Sequence, residues 1–171
     1  MTQPETGPEI TALLAVLNAQ RRHIRTILEG LDEEALHRPV LPSGWNCLGL
    51  VRHLALDVEQ FWFRGVVAGE ADVVTWATTD HEEPWHVGPE VKADEVLGLY
   101  QRETALADAV VASASPESPL AWWPADLFGP AFLDNLRDVL LHVITETACH
   151  AGHLDAVREL IDGRKWLVLT E

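Results

Sequence analysis

Basic residues are scarce in this chain. Lys and Arg number 12 against 27 Asp and Glu, which gives a formal net charge of −15. The few that occur are scattered, whereas a phosphate backbone is gripped by clustered Lys and Arg, so nucleic acid is excluded as a partner. Apolar runs are short as well. None approaches the ~20 residues needed to span a bilayer. The opening MTQPETGPEI has neither a basic n-region nor an apolar h-region, so neither a membrane span nor a secretory signal is expected, and the protein is placed in the cytoplasm. Cysteine is nearly absent. Cys47 and Cys149 are the only two, and in a chain without export signals they are expected as reduced thiols. There is no internal repeat, no Ser-His-Asp pattern and no glycine loop that would cradle a phosphate.

What the chain does have is ordinary globular composition: 171 residues, 47% hydrophobic and 23% charged. That length is enough to bury a full core, and one domain over residues 1–171 is expected. From Pro8 to about Gly30, Ile10, Leu13, Leu14, Leu17, Ile24, Ile27 and Leu28 recur at steps of three and four. This spacing marks an amphipathic helix with Arg21, Arg22 and Arg25 on its outer face. Two prolines and a Ser-Gly pair make LHRPVLPSGWN a loop. A second helix is predicted from Asn46, its cap, to about Gly69, burying Leu50, Val51, Leu54, Val58, Phe61 and Trp62. Residues 71 to 89 lack steady periodicity and read as a long crossover with room for a short turn of helix, the kind of connection that often carries function rather than packing. A third helix is expected from about Lys92 to Ala112, then a proline-rich loop containing Trp122 and Trp123. The fourth, from about Ala131 to Asp162, places positions 133, 136, 140, 143, 147, 150, 154, 157 and 161 on one buried seam, with Gly163 as its C-cap. The tail WLVL beyond it is expected as a short strand or an extended segment. Four amphipathic helices and no convincing sheet imply an all-α four-helix bundle with a long crossover.

Within that frame, Glu146 and His150 stand at i and i+4, one turn apart on the fourth helix. At about 100° per residue, taking His142 as zero puts His153 near 20°, Glu146 near 40° and His150 near 80°, all at the edge of the seam. A core-facing carboxylate needs a partner, and a divalent cation would satisfy Glu146 and His150 together. His53 borders the apolar stripe of the second helix and can face the fourth, with Asp57 one turn on to orient it. Three ligands from two helices leave a coordination position open, the mark of a catalytic rather than a structural site. Each residue also has a plain reading: a buried histidine hydrogen-bonded to backbone or hydroxyl, a glutamate paired with a core arginine. The trio together favours a cation. His142 and His153 are alternative ligands or outer partners. Trp45, Trp122 and Trp123 are candidates for a pocket wall, and Trp62 for core. Cys149 points away from His150 and reads as packing. His23, His37, His81 and His86 have no partner by spacing.

Two segments, SGWNCLGLVRHLALDVEQFWFRG and HVITETACHAGHLDAVRELIDG, together resemble the DinB-like four-helix-bundle superfamily, closest to its branch of mini-circle-type proteins. Members of it are similar to mycothiol and bacillithiol S-transferases and to the N-terminal domain of mycothiol-dependent maleylpyruvate isomerase. The resemblance implies a divalent metal, zinc first and nickel, manganese or iron as alternatives, held at the positions of His53, Glu146 and His150. The Glu-x-x-x-His form is similar to the isomerase, where many relatives carry His-x-x-x-His. The isomerase draws part of its active site from a second domain that this sequence does not contain, so isomerisation is not expected. Relatives often pair through bundle faces, which implies a homodimer. The function expected from residues and resemblance together is metal-dependent transfer of a low-molecular-weight thiol of the mycothiol type to a small electrophile. A metal-dependent hydrolase that activates water and a non-catalytic metal- or ligand-binding stress protein are the alternatives.

Overall fold

The computed structural model describes residues 7–79 and 85–166. Its helices are α1 (Pro8–Leu28), α2 (Glu33–His37), α3 (Cys47–His53, continuing without a break as a π-wound segment Leu54–Val67), α4 (Ala71–Ala77), α5 (Ala93–Ala112), α6 (Ala125–Phe128) and α7 (Leu136–Asp162). No strand occurs among the described residues, only an isolated bridge between Pro119 and Asn135. The four long helices form an all-α bundle in which α1 lies along α7, α5 along α3, and α7 meets α3. No helix among the described residues is long and apolar enough to cross a membrane.

Local signals set most boundaries. Pro8 sits in the first turn of α1, where its missing N–H costs nothing. Asn46 caps α3 by accepting a hydrogen bond from Gly49 N at 2.7 Å, and Gly163, with φ of 79°, takes the left-handed turn that ends α7. The seam of α7 is buried at Leu136, Leu140, Val143, Thr147, His150, Leu154 and Val157. Its start differs from the sequence expectation. The helix begins at Leu136 rather than Ala131, because the Asn135 side chain accepts from Asp138 N and supplies the cap. The short helix α6 falls in a stretch read as loop, α4 supplies the short helix within the crossover, and α2 lies ahead of the first loop and runs into it at Leu36; Asp32 caps α2 by accepting from Ala35 N. Residues 80–84 of the crossover, His81 with them, and the tail beyond Trp166 lie outside the described residues.

The π-wound half of α3 was not foreseen. It buries Phe61, Trp62 and Phe63 in succession, which a single stripe on an α-helix would not do. A segment apolar on nearly every side belongs in the middle of a bundle, and this one packs against α4, α5 and α7.

Arg21 corrects a second expectation. Rather than facing outward with Arg22 and Arg25, it is 5% exposed. Its Nε and Nη2 donate to the two carboxylate oxygens of Glu59 at 2.7 and 2.6 Å, and Nη1 donates to Asp108 at 2.7 Å. Burial alone would lower the Arg21 pKa, but the hydrogen bonds to Glu59 and Asp108 carry it above its ordinary value. Burial pushes the Glu59 carboxyl up, against the pull of Arg21. Arg158 is buried too. Its Nη1 donates to the carbonyls of Ile27 and Glu29, serving oxygens that the end of α1 leaves without helical partners.

Candidate metal centre

His53 ends the α-wound part of α3, at the change to π winding. Its Nδ1 meets Asp57 Oδ2 at 2.8 Å. A carboxylate there accepts the Nδ1 proton and leaves the Nε2 lone pair free, the usual way a ligating imidazole is oriented. On α7, His150 Nε2 stands 3.5 Å from Glu146 Oε2. Its other nitrogen, Nδ1, meets His153 Nδ1 at 3.3 Å. The His53 and His150 rings approach edge to face, with centroids 5.0 Å apart. One ligand atom from each of His53, Glu146 and His150 can be chosen so that all lie within 4.8 Å of one another.

Burial, with the neighbouring His53 and His153 adding to it and Glu146 opposing, lowers the His150 pKa to about 4. The imidazole is therefore neutral at physiological pH, which is the form that donates a lone pair to a cation. Two imidazole nitrogens and one carboxylate form a donor set suited to a divalent metal. Bonds of about 2.0–2.2 Å in tetrahedral geometry put neighbouring donors roughly 3.4 Å apart, close to the separation of Glu146 from His150. The residues present fit such an ion.

Glu146 is less buried than its place on the helix implied: its side chain is 40% exposed. The cost of an unpaired core carboxylate therefore weighs less here than the geometry of the trio does. The two buried arginines are engaged elsewhere, Arg21 with Glu59 and Arg158 with Asp162. Cys149 is exposed rather than packed, since the seam of α7 turns away from it. Both cysteines are free thiols.

The other expected residues divide between the two ends of the trio. His153 is exposed, and its ring lies 6.4 Å from that of Trp45. At the opposite end His142 meets buried Trp62, centroids 4.5 Å apart, and Trp62 contacts Trp123 at 6.2 Å. Burial lowers the His142 pKa against the pull of Glu146. Trp122 and Trp123 line a cavity of about 370 Å³ with Ala77, Thr78, Pro124 and Leu127, and no residue of the trio belongs to its wall. Partners, most of them distant in the chain, exist for histidines that spacing left alone. His23 bonds Asp155 and stacks on Trp166, His37 bonds the carbonyls of Glu33 and Val91, and His86 bonds Gly44 O.

Trp85 is the residue that sequence reasoning missed. Its indole stacks on His53 at 4.0 Å with 21° between the planes, and lies 5.6 Å from His150. Nothing in its spacing marks it; the only signal is its place in a long connection. The cap of α3 and one residue of its first turn bring it in. Asn46 Nδ2 donates to Val87 O at 2.8 Å, tying the connection to the helix start. Gly49 leaves the room, because a Cβ on it would overlap the Trp85 carbonyl and stand 2.8 Å from His86 N. Gly49→Ala is expected to push this segment off α3, costing about 1–3 kcal/mol as overpacking does. Urea denaturation would show a lower midpoint, and tryptophan fluorescence of the native state would change as Trp85 leaves His53. An unaltered midpoint would mean that the connection shifts without strain.

A family model described as MST: Mycothiol-S-transferase matches residues 12–163 of the chain, a span that takes in α7 whole and all but the first turn of α1. No curated protein matches it.

Proposed function

The chain belongs to the mycothiol S-transferase family, and from that premise we propose that it joins a low-molecular-weight thiol of the mycothiol type to a small electrophile, with a divalent cation, zinc first, held by His53, Glu146 and His150. One observation carries the reading: donor atoms from two helices lie within 4.8 Å of one another. When bound, such a cation lowers the pKa of a thiol and favours its thiolate, the nucleophilic form.

The chain's own residues prepare the donors. Asp57 accepts the Nδ1 proton of His53, and His153 Nδ1 stands where it can accept that of His150. Both imidazoles are thereby held with Nε2 as the lone-pair nitrogen. Trp85, stacked on His53, restrains that ring and keeps water from one of its faces. Half-exposed Glu146 leaves the site open on one side, where a thiol enters.

Purified protein loaded with zinc, given mycothiol and monochlorobimane, is expected to form the thioether at a rate that needs both metal and thiol. A rate no higher than that of metal-free protein would sink the proposal, and ester cleavage without added thiol would point to hydrolysis instead. Removing an outer partner should weaken the site without abolishing it. Asp57→Ala and His153→Ala are each expected to lower zinc affinity about 10–100-fold, measured by competition with a chromogenic chelator. Affinity unchanged in both would show that neither holds its imidazole.

A further inference from the structure

The connection that carries Trp85 is held firmly on one side of this residue and loosely at it. Asn46 Nδ2 donates to Val87 O at 2.8 Å, and the Val87 side chain is buried. Further on, His37 Nε2 meets Val91 O at 2.9 Å. The backbone link at Trp85 is weaker: its carbonyl accepts from Asn46 N at 3.4 Å, longer than most N–H···O bonds. The partly buried indole packs against the edge of the core. Its ring contacts among the described residues, however, are with His53 and His150, two members of the trio.

Two contacts hold the His53 ring, and they act in different directions. The hydrogen bond from Nδ1 to Asp57 Oδ2 acts close to the ring plane and selects Nε2 as the lone-pair nitrogen. The indole covers one face, at 4.0 Å with 21° between the planes, and opposes tilting out of that plane. Charge adds a further difference. An imidazole whose Nε2 coordinates a divalent cation takes on part of the positive charge, and the face of tryptophan is the best aromatic partner for positive charge. The stack is therefore stronger with the ion bound than without it. By linkage, whatever the ion adds to the stack, the stack adds to the affinity for the ion.

We infer that Trp85 is a positioning residue of this centre, acting through His53, and that cation binding and the docking of residues 85–91 on α3 strengthen each other. The inference rests on the reading of the trio as a metal centre and goes beyond restraint of one ring. The connection closes over His53 when the ion is present and loosens when it is removed.

Zinc affinity, measured by competition with a chromogenic chelator, tests this without turnover. Trp85→Leu keeps an apolar side chain but no ring face, and is expected to bind zinc at least about fivefold more weakly. A tetrafluorinated tryptophan placed at position 85 keeps the shape of the indole while its fluorines draw charge from the face. It should lose affinity as Trp85→Leu does. Hydrogen exchange needs no substitution: in the wild type, amides of residues 85–91 should exchange more slowly with zinc, by about the same factor, because the coupling is reciprocal. The slowing should vanish in His150→Ala. Equal zinc affinity in wild type and Trp85→Leu would overturn the inference and leave the metal centre standing. Affinity untouched by fluorine, beside a loss in Trp85→Leu, would overturn it as well, since the indole would then act by bulk alone. So would exchange over 85–91 that zinc does not slow. A wild type that takes up no zinc would defeat the trio first, and this inference with it.

Discussion

His150→Ala is expected to abolish high-affinity metal binding and, with it, thiol transfer. Loss of an outer partner alone costs 10–100-fold in affinity, so loss of one of three direct donors should exceed about 100-fold. The remaining pair, His53 and Glu146, comes from different helices and has no i,i+4 partner to close the chelate. Metal content after dialysis against a weak chelator gives the direct measure, and the rate with mycothiol and monochlorobimane the functional one. Melting temperature supplies a third test, because a ligand that binds only the folded state raises it. Added zinc should raise it for the wild type and leave the variant where it was. Cys149→Ala, a change at the exposed neighbouring residue, should behave as wild type in all three. Full metal content in His150→Ala would remove the trio from the chemistry.

Arg21→Ala is expected to be the most destabilising single change. It leaves Glu59, 1% exposed, without the guanidinium that binds both its oxygens. Breaking a buried pair from one side costs about 3–5 kcal/mol, which for a chain of this size lowers the melting temperature on the order of 10 °C. The pH dependence has a definite sign. Burial already pushes the Glu59 carboxyl up, and without Arg21 nothing in the pair opposes it. The folded variant then holds this proton more tightly than the unfolded chain does. Its stability should therefore fall as pH rises from the ordinary carboxylate range, near 4.3, toward neutrality. Replacing both partners together, Arg21→Met with Glu59→Leu, should recover most of the loss, because no charge is left stranded. Chemical denaturation at two pH values measures all of this. A single variant as stable as wild type at neutral pH would show that water meets the need of Glu59.

How these two sites were legible in the sequence differs for a physical reason. Glu146 and His150 are neighbours on one turn of a strongly periodic helix, so their pairing follows from local geometry. Asp57 stands in the same relation to His53, and its contact was expected for the same reason. Arg21 and Glu59 are 38 residues apart. Helical spacing placed Arg21 among outward charges because apolar period has no means of representing an arginine that finds its carboxylate on another helix. Trp85 was hidden in the same way: it reaches His53 only because Asn46 anchors its segment and Gly49 lets the backbone in. The π winding of α3 also lay beyond reach, since a change of turn arises from packing on several sides at once.

By itself, then, the sequence determined the four long helices, the caps at Asn46 and Gly163, the buried seam of α7 and the acid–imidazole pair upon it. All of these depend on steps of one to four residues, a range within which backbone geometry dictates which side chains meet. Only the tertiary structure decided that His53 reaches that pair, that Arg21 turns inward and that Trp85 covers the centre. Such contacts join residues tens of positions apart, and they form when helices dock and desolvate one another, a step that no local pattern encodes.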